Sequence, residues 1–504
     1  MQRATKRFRV SLPARVLVLL ILGTVGRATI ATAPSSGTFT QTGNMTTARS
    51  LHTATLLPNG KVLLAGGTKS TSLSGPSVTL AGAELYEPDA GRFSPAGDMT
   101  TARRLHTSTL LTDGRVLIAG GYGTAGGAVA SAELYDPFTG TFTATGDMIA
   151  ARGWHTAIVL LSGKVLIVGG YGTGSYPNVA PAELYDPASG TFTAAGAYVG
   201  RGGCDFCAPA VLLPDGKVLF PGQYPAQLYD PVSDSFRPAG MMISDHSAAT
   251  LLANGKVLLA AGEDIGRSSS AELYDPATGT FASTGNMAWR RVWHTLTLMP
   301  NGLALTTGGE TDSCAGNGCT FAGSVASAEL YDPSAGTFLA TGTMAEARST
   351  HTATLLNDGR VLIAGGVSYG GIGVFSGSLA SAELYAPEVL VPAPALVSLS
   401  GDGRGQGAIL HDRTSHVAGA DDPAAVGEVV EILCTGLSPD SVIPPQVAIG
   451  GRMADVLRFG EALGLPGRNQ VTVRVPSGFA PGPAVPVRLT YIGRSSNEVT
   501  LAVR

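Results

Sequence analysis

Charge is scarce in this sequence. Only 14% of its 504 residues are Asp, Glu, Lys or Arg, and no run of Lys and Arg follows Arg27. Nucleic acid and anionic membrane surfaces are therefore poor partners. Aromatic residues stand at 6% and cysteines at five. Long hydrophobic runs are missing too, and the one apolar stretch that stands out, Val16–Leu22, is too short to span a bilayer. In place of charge the chain has 68 Gly, 31 Pro and 44% hydrophobic residues. That balance suits a turn-rich all-β protein and not a disordered one.

The start of the chain reads separately. Arg3, Lys6, Arg7, Arg9 and Arg15 precede or flank the apolar stretch, and Ala31-Thr32-Ala33 offers a small-residue cleavage site. Residues 1–33 are expected to be a secretory signal peptide, with an uncleaved anchor as the alternative. Its removal takes away six basic residues, leaving 27 Lys and Arg against 37 Asp and Glu, a net charge of about −10. No transmembrane segment is expected after cleavage, and the protein is expected in the cell envelope or outside the cell. In that oxidising setting Cys314 and Cys319 are expected to form a local disulfide and Cys434 to be a buried thiol. Cys204 and Cys207 are ambiguous, with a C-x-x-C disulfide as one outcome.

Self-comparison reveals seven copies of one phrase, aligned on Gly60, Gly114, Gly163, Gly216, Gly255, Gly302 and Gly359 at spacings of 39 to 57 residues. The template reads M-x-x-A-R-x-x-H-T-A-x-L-L-x-D/N-G-K/R-V-L-I-A-G-G, a variable loop, then A-E-L-Y-D-P-x-x-G-T-F. Asn-Gly or Asp-Gly between two β-rich runs is a hairpin signal. The double glycine marks a close approach, and Asp-Pro-x-x-Gly turns into a fourth strand. One such sheet cannot bury both faces, so the copies are expected to stack around an axis as a seven-bladed propeller spanning 34–390. The seventh copy stops at Tyr385-Ala386-Pro387 without its G-T-F strand, whereas Gly37-Thr38-Phe39 is an orphan copy of it. Residues 36–40 are expected to close the ring. After a Pro-rich bridge, residues 391–504 alternate short strand-like runs with turns, which predicts a small immunoglobulin-like β-sandwich.

Arg49, Arg103, Arg152, Arg291 and Arg348 recur at one template position and His52, His106, His155, His294 and His351 at another. A ring of histidines near a channel can hold metal, but a residue repeated in most blades more often serves the blade. The arginines are expected to pair with the glutamates of the A-E-L-Y strand: Glu84, Glu133, Glu183, Glu272, Glu329 and Glu383. Blades four and five break the rule, with Asp205, Ala208 and Gln227 in one and Ser244 and Ser247 in the other, which marks a candidate site beside them. Loops after the double glycine carry Tyr122, Tyr171, Tyr176, Phe321, Tyr369 and Phe375, a surface suited to a carbohydrate or protein ligand.

The double glycine and the M-x-x-x-R-x-x-H-T phrase resemble the kelch repeats of the galactose oxidase superfamily, and the C-terminal part resembles a domain common in exported bacterial proteins. The superfamily resemblance implies a copper ion on the axis, held by two tyrosines and two histidines, with one tyrosine cross-linked to a cysteine and one histidine supplied by the C-terminal domain. Asp205-Phe206-Cys207-Ala208-Pro209 matches the cysteine phrase. The cross-linked tyrosine position holds His246, the axial Tyr-His pair is matched by Trp293-His294, and His411 and His416 lie in no matching motif. Cys207, His246, Trp293 and His294 are thus the candidate catalytic or metal residues. The expected function is a non-catalytic binding module with no cofactor; a copper oxidase and a purely structural component are the alternatives.

Overall fold

The computed structural model describes residues 37–71, 76–172, 181–196, 209–221, 225–244, 246–262, 268–315, 318–370, 374–391, 393–414, 416–437, 443–462 and 464–504, with the backbone alone for 313–320. Seven four-stranded antiparallel sheets form the seven blades of a β-propeller. In blade one the chain runs Thr53–Leu56, Val62–Ala65, Gly82–Glu87 and Arg92–Asp98 from the inside outward. The first two strands are joined at Gly60, and all seven anchor glycines sit at φ between 81° and 91°, a region that L side chains avoid. The second strand is buried at every residue, which is why it reads V-L-L-A with no polar alternation.

Neighbouring sheets bury these faces against each other. Seven separate apolar clusters lie between successive blades and return to the start. Leu57, Leu63 and Met99 of one such cluster meet Val116, Ile118 and Tyr135 of the next blade. The double glycine makes this approach possible. A Cβ on Gly66 would collide with the Arg103 carbonyl of blade two, and the Gly67 N–H donates to that same carbonyl at 2.9 Å.

Closure is made by the N-terminal strand. Thr38–Gln41 pairs antiparallel with Ala382–Ala386, Thr38 opposite Ala386 and Gln41 opposite Glu383. Phe39 lies 5.0 Å from Tyr385, reproducing the Tyr86–Phe93 and Tyr135–Phe142 contacts at 4.8 Å inside continuous blades.

The last nine strands form one curled sheet, the C-terminal β-sandwich, around Val430, Ile432, Val447, Val471 and Leu489. Cys434 is buried there as a free thiol, and burial pushes it up to about 12. The backbone register sets Cys314 opposite Cys319; their side chains, and all of Cys204 and Cys207, lie outside the described residues. The sandwich meets the propeller where the innermost strands end. Ile492, at the tip of a hairpin, packs on the clusters of blades five to seven, and Thr112 donates to the Gly451 carbonyl at 3.0 Å.

Deleting residues 37–41 leaves a full strand edge and the Tyr385 face bare. The melting midpoint is expected to fall by roughly 3 °C or more, on the scale of about 3 kcal/mol for losing a packed Phe. Calorimetry of the truncated chain checks this; an unchanged midpoint would mean the strand does not close the ring.

Candidate functional site

Each repeat arginine is at most 2% exposed and is paired with a glutamate inside its own blade. Arg49 donates from Nη1 to the Gly66 and Gly82 carbonyls, both at 2.9 Å, and from Nη2 to Glu84 at 2.7 Å. The other four pairs, Arg103–Glu133, Arg152–Glu183, Arg291–Glu329 and Arg348–Glu383, span 2.5 to 2.9 Å. The glutamate in turn accepts the backbone N–H groups of the incoming loop, Thr46 and Thr47 in blade one. These pairs fix the blade and occupy Nη1 and Nη2 within it, while Nε of Arg49, Arg291 and Arg348 has no partner among the described residues.

Two residues after each arginine the chain does something that propensity does not suggest. Leu51, Leu105, Trp154, Trp293 and Thr350 all adopt φ between 51° and 61°, which costs each about 1–2 kcal/mol. Their backbones link across blades: Thr350 N–H donates to Trp293 O (3.2 Å), Leu51 to Thr350 (3.4 Å), Leu105 to Leu51 (3.1 Å) and Trp154 to Leu105 (3.1 Å). Five residues from five blades can join head to tail in this way only around the axis. There the Trp154 and Trp293 rings of blades three and six meet, 5.2 Å between centroids.

The same position in blade five is His246, and it behaves differently. Its side chain is buried, and Nε2 lies 2.8 Å from Glu272 Oε1. Ser244, standing where the other blades have arginine, leaves the room for it. Blade five therefore keeps a glutamate pair, contrary to the expectation that it abandons one. Burial works against the Glu272 carboxylate, but the His246 contact and the Ile243 and Ser244 amides outweigh it and hold its pKa below the usual range. In blade four, Gln227 donates to the Pro225 carbonyl at 3.2 Å; Asp205, Cys207 and Ala208 lie outside the described residues.

Beneath the axial residues the repeat histidines form a second layer. His106, His155 and His52 hold the threonine hydroxyls of the preceding blade, Thr53, Thr107 and Thr352, at 3.0, 2.9 and 3.1 Å. His351 reaches Thr307 at 3.0 Å and Thr295 at 3.4 Å. His294 is the exception among them: the residue it should meet is Ala248, and neither ring nitrogen has a partner. Burial, with Arg291 and His246 nearby, holds it down to about 3.

The loops above this floor are uneven. Blades six, seven and one each raise an extra hairpin: Glu310–Ala315 with Gly318–Ser324, Val367–Tyr369 with Phe375–Ser378, and Thr68–Ser70 with Ser77–Thr79. They are tied together through Tyr369 N–H to Ser324 Oγ at 3.1 Å and Ser70 N–H to Ser378 Oγ at 3.0 Å. Phe321, Tyr369 and Phe375 stack within this wall, 5.5 and 5.0 Å apart. On the other side Tyr122 donates to the Tyr171 carbonyl at 3.4 Å; Tyr176 lies outside the described residues.

A copper centre of the kind the resemblance implies does not fit the described residues. One tyrosine position holds His246, whose Nε2 is spent on Glu272. The other holds Trp293, an indole with no lone pair to give. From the sandwich, Ile443 and Ile492 face the propeller, while His411 is held between Glu428 and Asp422. Among the buried histidines of the described residues, only His294 presents two unpartnered nitrogens.

Two outcomes follow from the histidine layer. Ala248→Thr restores the missing hydroxyl and is expected to raise stability by about 1 kcal/mol in chemical denaturation; a loss would show that His294 is not waiting for an acceptor or donor there. The second concerns pH. The folded protein keeps His52, His106, His155, His294 and His351 neutral well below 6.5, whereas the unfolded chain protonates them near that value. Their stabilisation is complete above about pH 6.5 and is lost as pH falls, at about 1.4 kcal/mol per pH unit for each histidine. For His155 and His294 the loss continues to about pH 3. Denaturation between pH 7 and 4 reads the slope, and replacing one histidine by Gln should reduce it by about one proton.

No protein family and no curated protein matches the sequence. Among solved structures the fold is similar to that of a novel fungal alcohol oxidase with catalytic diversity among the AA5 family, in complex with copper. The two share 19% identity over 94% of this chain and 100% of that chain, with a TM-score of 0.56. Likeness at this identity is one of fold: a β-propeller with a C-terminal β domain.

Proposed function

We propose that the protein is an exported, non-catalytic binding module that takes a glycan or protein ligand on its loop face. The observation that carries this reading is the axial pair Trp154 and Trp293, part-exposed and locked by the left-handed backbone ring. Rigid aromatic rings lose little entropy when a ligand stacks on them. The hairpin wall of blades six, seven and one supplies a second aromatic surface. Export rests on the basic, apolar and small-residue order of residues 1–33.

The chain has three tryptophans, two of them on the axis, so ligand binding is expected to change the intrinsic emission. A glycan array followed by emission titration of the best binder tests this. Trp154→Ala and Trp293→Ala should each weaken binding by about tenfold or more, with Trp289→Ala, half-exposed at 50%, as the control. Equal binding by all three variants would remove the axial floor from the argument.

A second reading, a copper-dependent oxidase, is favoured by the likeness to the copper-bound alcohol oxidase and by the free nitrogens of His294. Metal analysis of purified protein with a peroxide-release assay on primary alcohols and aldehydes decides between the two. Stoichiometric copper with turnover overturns the binding-module reading.

A further inference from the structure

The hairpin that docks the sandwich on the propeller carries a charge that no carboxylate among the described residues pairs with. Arg494 is 0% exposed. Its Nη1 donates to the Val391 carbonyl at 2.6 Å and to the Asn357 carbonyl at 3.5 Å, while Nε and Nη2 reach no acceptor. Tyr491 stands opposite Arg494 across the Ile492-Gly493 turn, which puts both side chains on one face of the hairpin. Tyr491 is 2% exposed and its hydroxyl is also without a partner.

The five repeat arginines show what a buried guanidinium requires in this protein, because every one of them has a glutamate. Arg494 has none. Asp358 is the carboxylate whose charge reaches it, with Tyr491 the other titratable neighbour, and Asp358 is bonded to Arg360 at 2.7 Å. Burial lowers Arg494 to about 10, so it remains a cation at neutral pH. A desolvated cation without a counter-charge is costly, and the Nε–Nη2 edge is the side of a guanidinium that grips anions with two parallel bonds.

Size narrows the ligand. The chain neighbours Gly493 and Ser495 line open clefts of about 400 to 560 Å³ and beyond, but Arg494 is not among the walls of any of them. The guanidinium is enclosed, which suits a single-atom ion and not an organic acid. We propose that Arg494 Nε and Nη2, together with the Tyr491 hydroxyl, bind a halide-sized monovalent anion, chloride under ordinary conditions, at the junction of propeller and sandwich. The anion supplies the charge that glutamate supplies in the blades, and it joins the two parts of the molecule.

Bromide-soaked crystals of the full chain test this directly, with thermal melts at constant ionic strength in which acetate replaces chloride. An anomalous peak within hydrogen-bond reach of Nη2, and a midpoint that climbs with chloride, are expected. Arg494→Gln should abolish both. Tyr491→Phe, which keeps the charge, should raise the chloride concentration for half the effect about tenfold, and it decides the matter if Arg494→Gln fails to fold. Water alone at this position, or bromide there with a melt indifferent to chloride, overturns the proposal; the second result is an adventitious ion only.

Discussion

The buried arginine of each repeat is the contact on which the rest of the ring depends. Arg49, Arg103, Arg152, Arg291 and Arg348 each tie two inner strands of their own blade through carbonyls and a glutamate. Their backbone carbonyls accept the second glycine of the preceding blade; Gly67, Gly121, Gly309 and Gly366 donate to Arg103, Arg152, Arg348 and Arg49 at 2.8 to 2.9 Å. Two residues further on the chain turns left-handed and presents a side chain to the axis. One residue thus holds a blade together, sets its distance from its neighbour and aims its axial residue. Such pairs are weak contributors to net stability but strong determinants of geometry, since removing one partner strands a charge.

Blade five shows the arrangement being traded for something else. With Ser244 in the arginine position, Glu272 draws in His246, and the residue that would face the axis is spent inside the blade. Blade five departs at a second position as well, so that His294 of blade six meets Ala248 in place of a threonine. Substitutions at two nearby repeat positions, Ser244 and Ala248, thus change three layers: the ion pair, the axial residue and the histidine ladder. The raised hairpins of blades six, seven and one give any ligand on the axis a wall on that side.

Blade number, ring closure and the Arg–Glu pairing were legible in the sequence because each is written as a local phrase repeated at intervals, and repetition separates signal from drift. The left-handed axial residues were not. Leucine, tryptophan and threonine carry no propensity for positive φ, so only the cross-blade hydrogen bonds reveal why they adopt it. His246 was misleading for a related reason: its aligned position is axial, but its direction is decided by the small Ser244 two residues earlier. The orphaned state of His294 was readable from Ala248 once the partner of each histidine was known, and that partner belongs to the neighbouring blade. Arg494 gave no sign at all, since an isolated arginine in a turn looks exposed until the propeller covers it.

Closure by the N-terminal strand has a consequence for how the molecule comes into being. Thr38 pairs with Ala386, so the first strand of the propeller must wait for nearly the whole ring before its partner exists. Contacts so far apart in the chain form late, after the entropy of a long loop has been overcome. During that interval both edges of the unfinished ring offer unpaired backbone to any other strand. The waiting segment, Thr-Phe-Thr-Gln, is short and mostly polar, a poor template for association with another copy. Its modest character is what a strand needs if it is to be made first and used last.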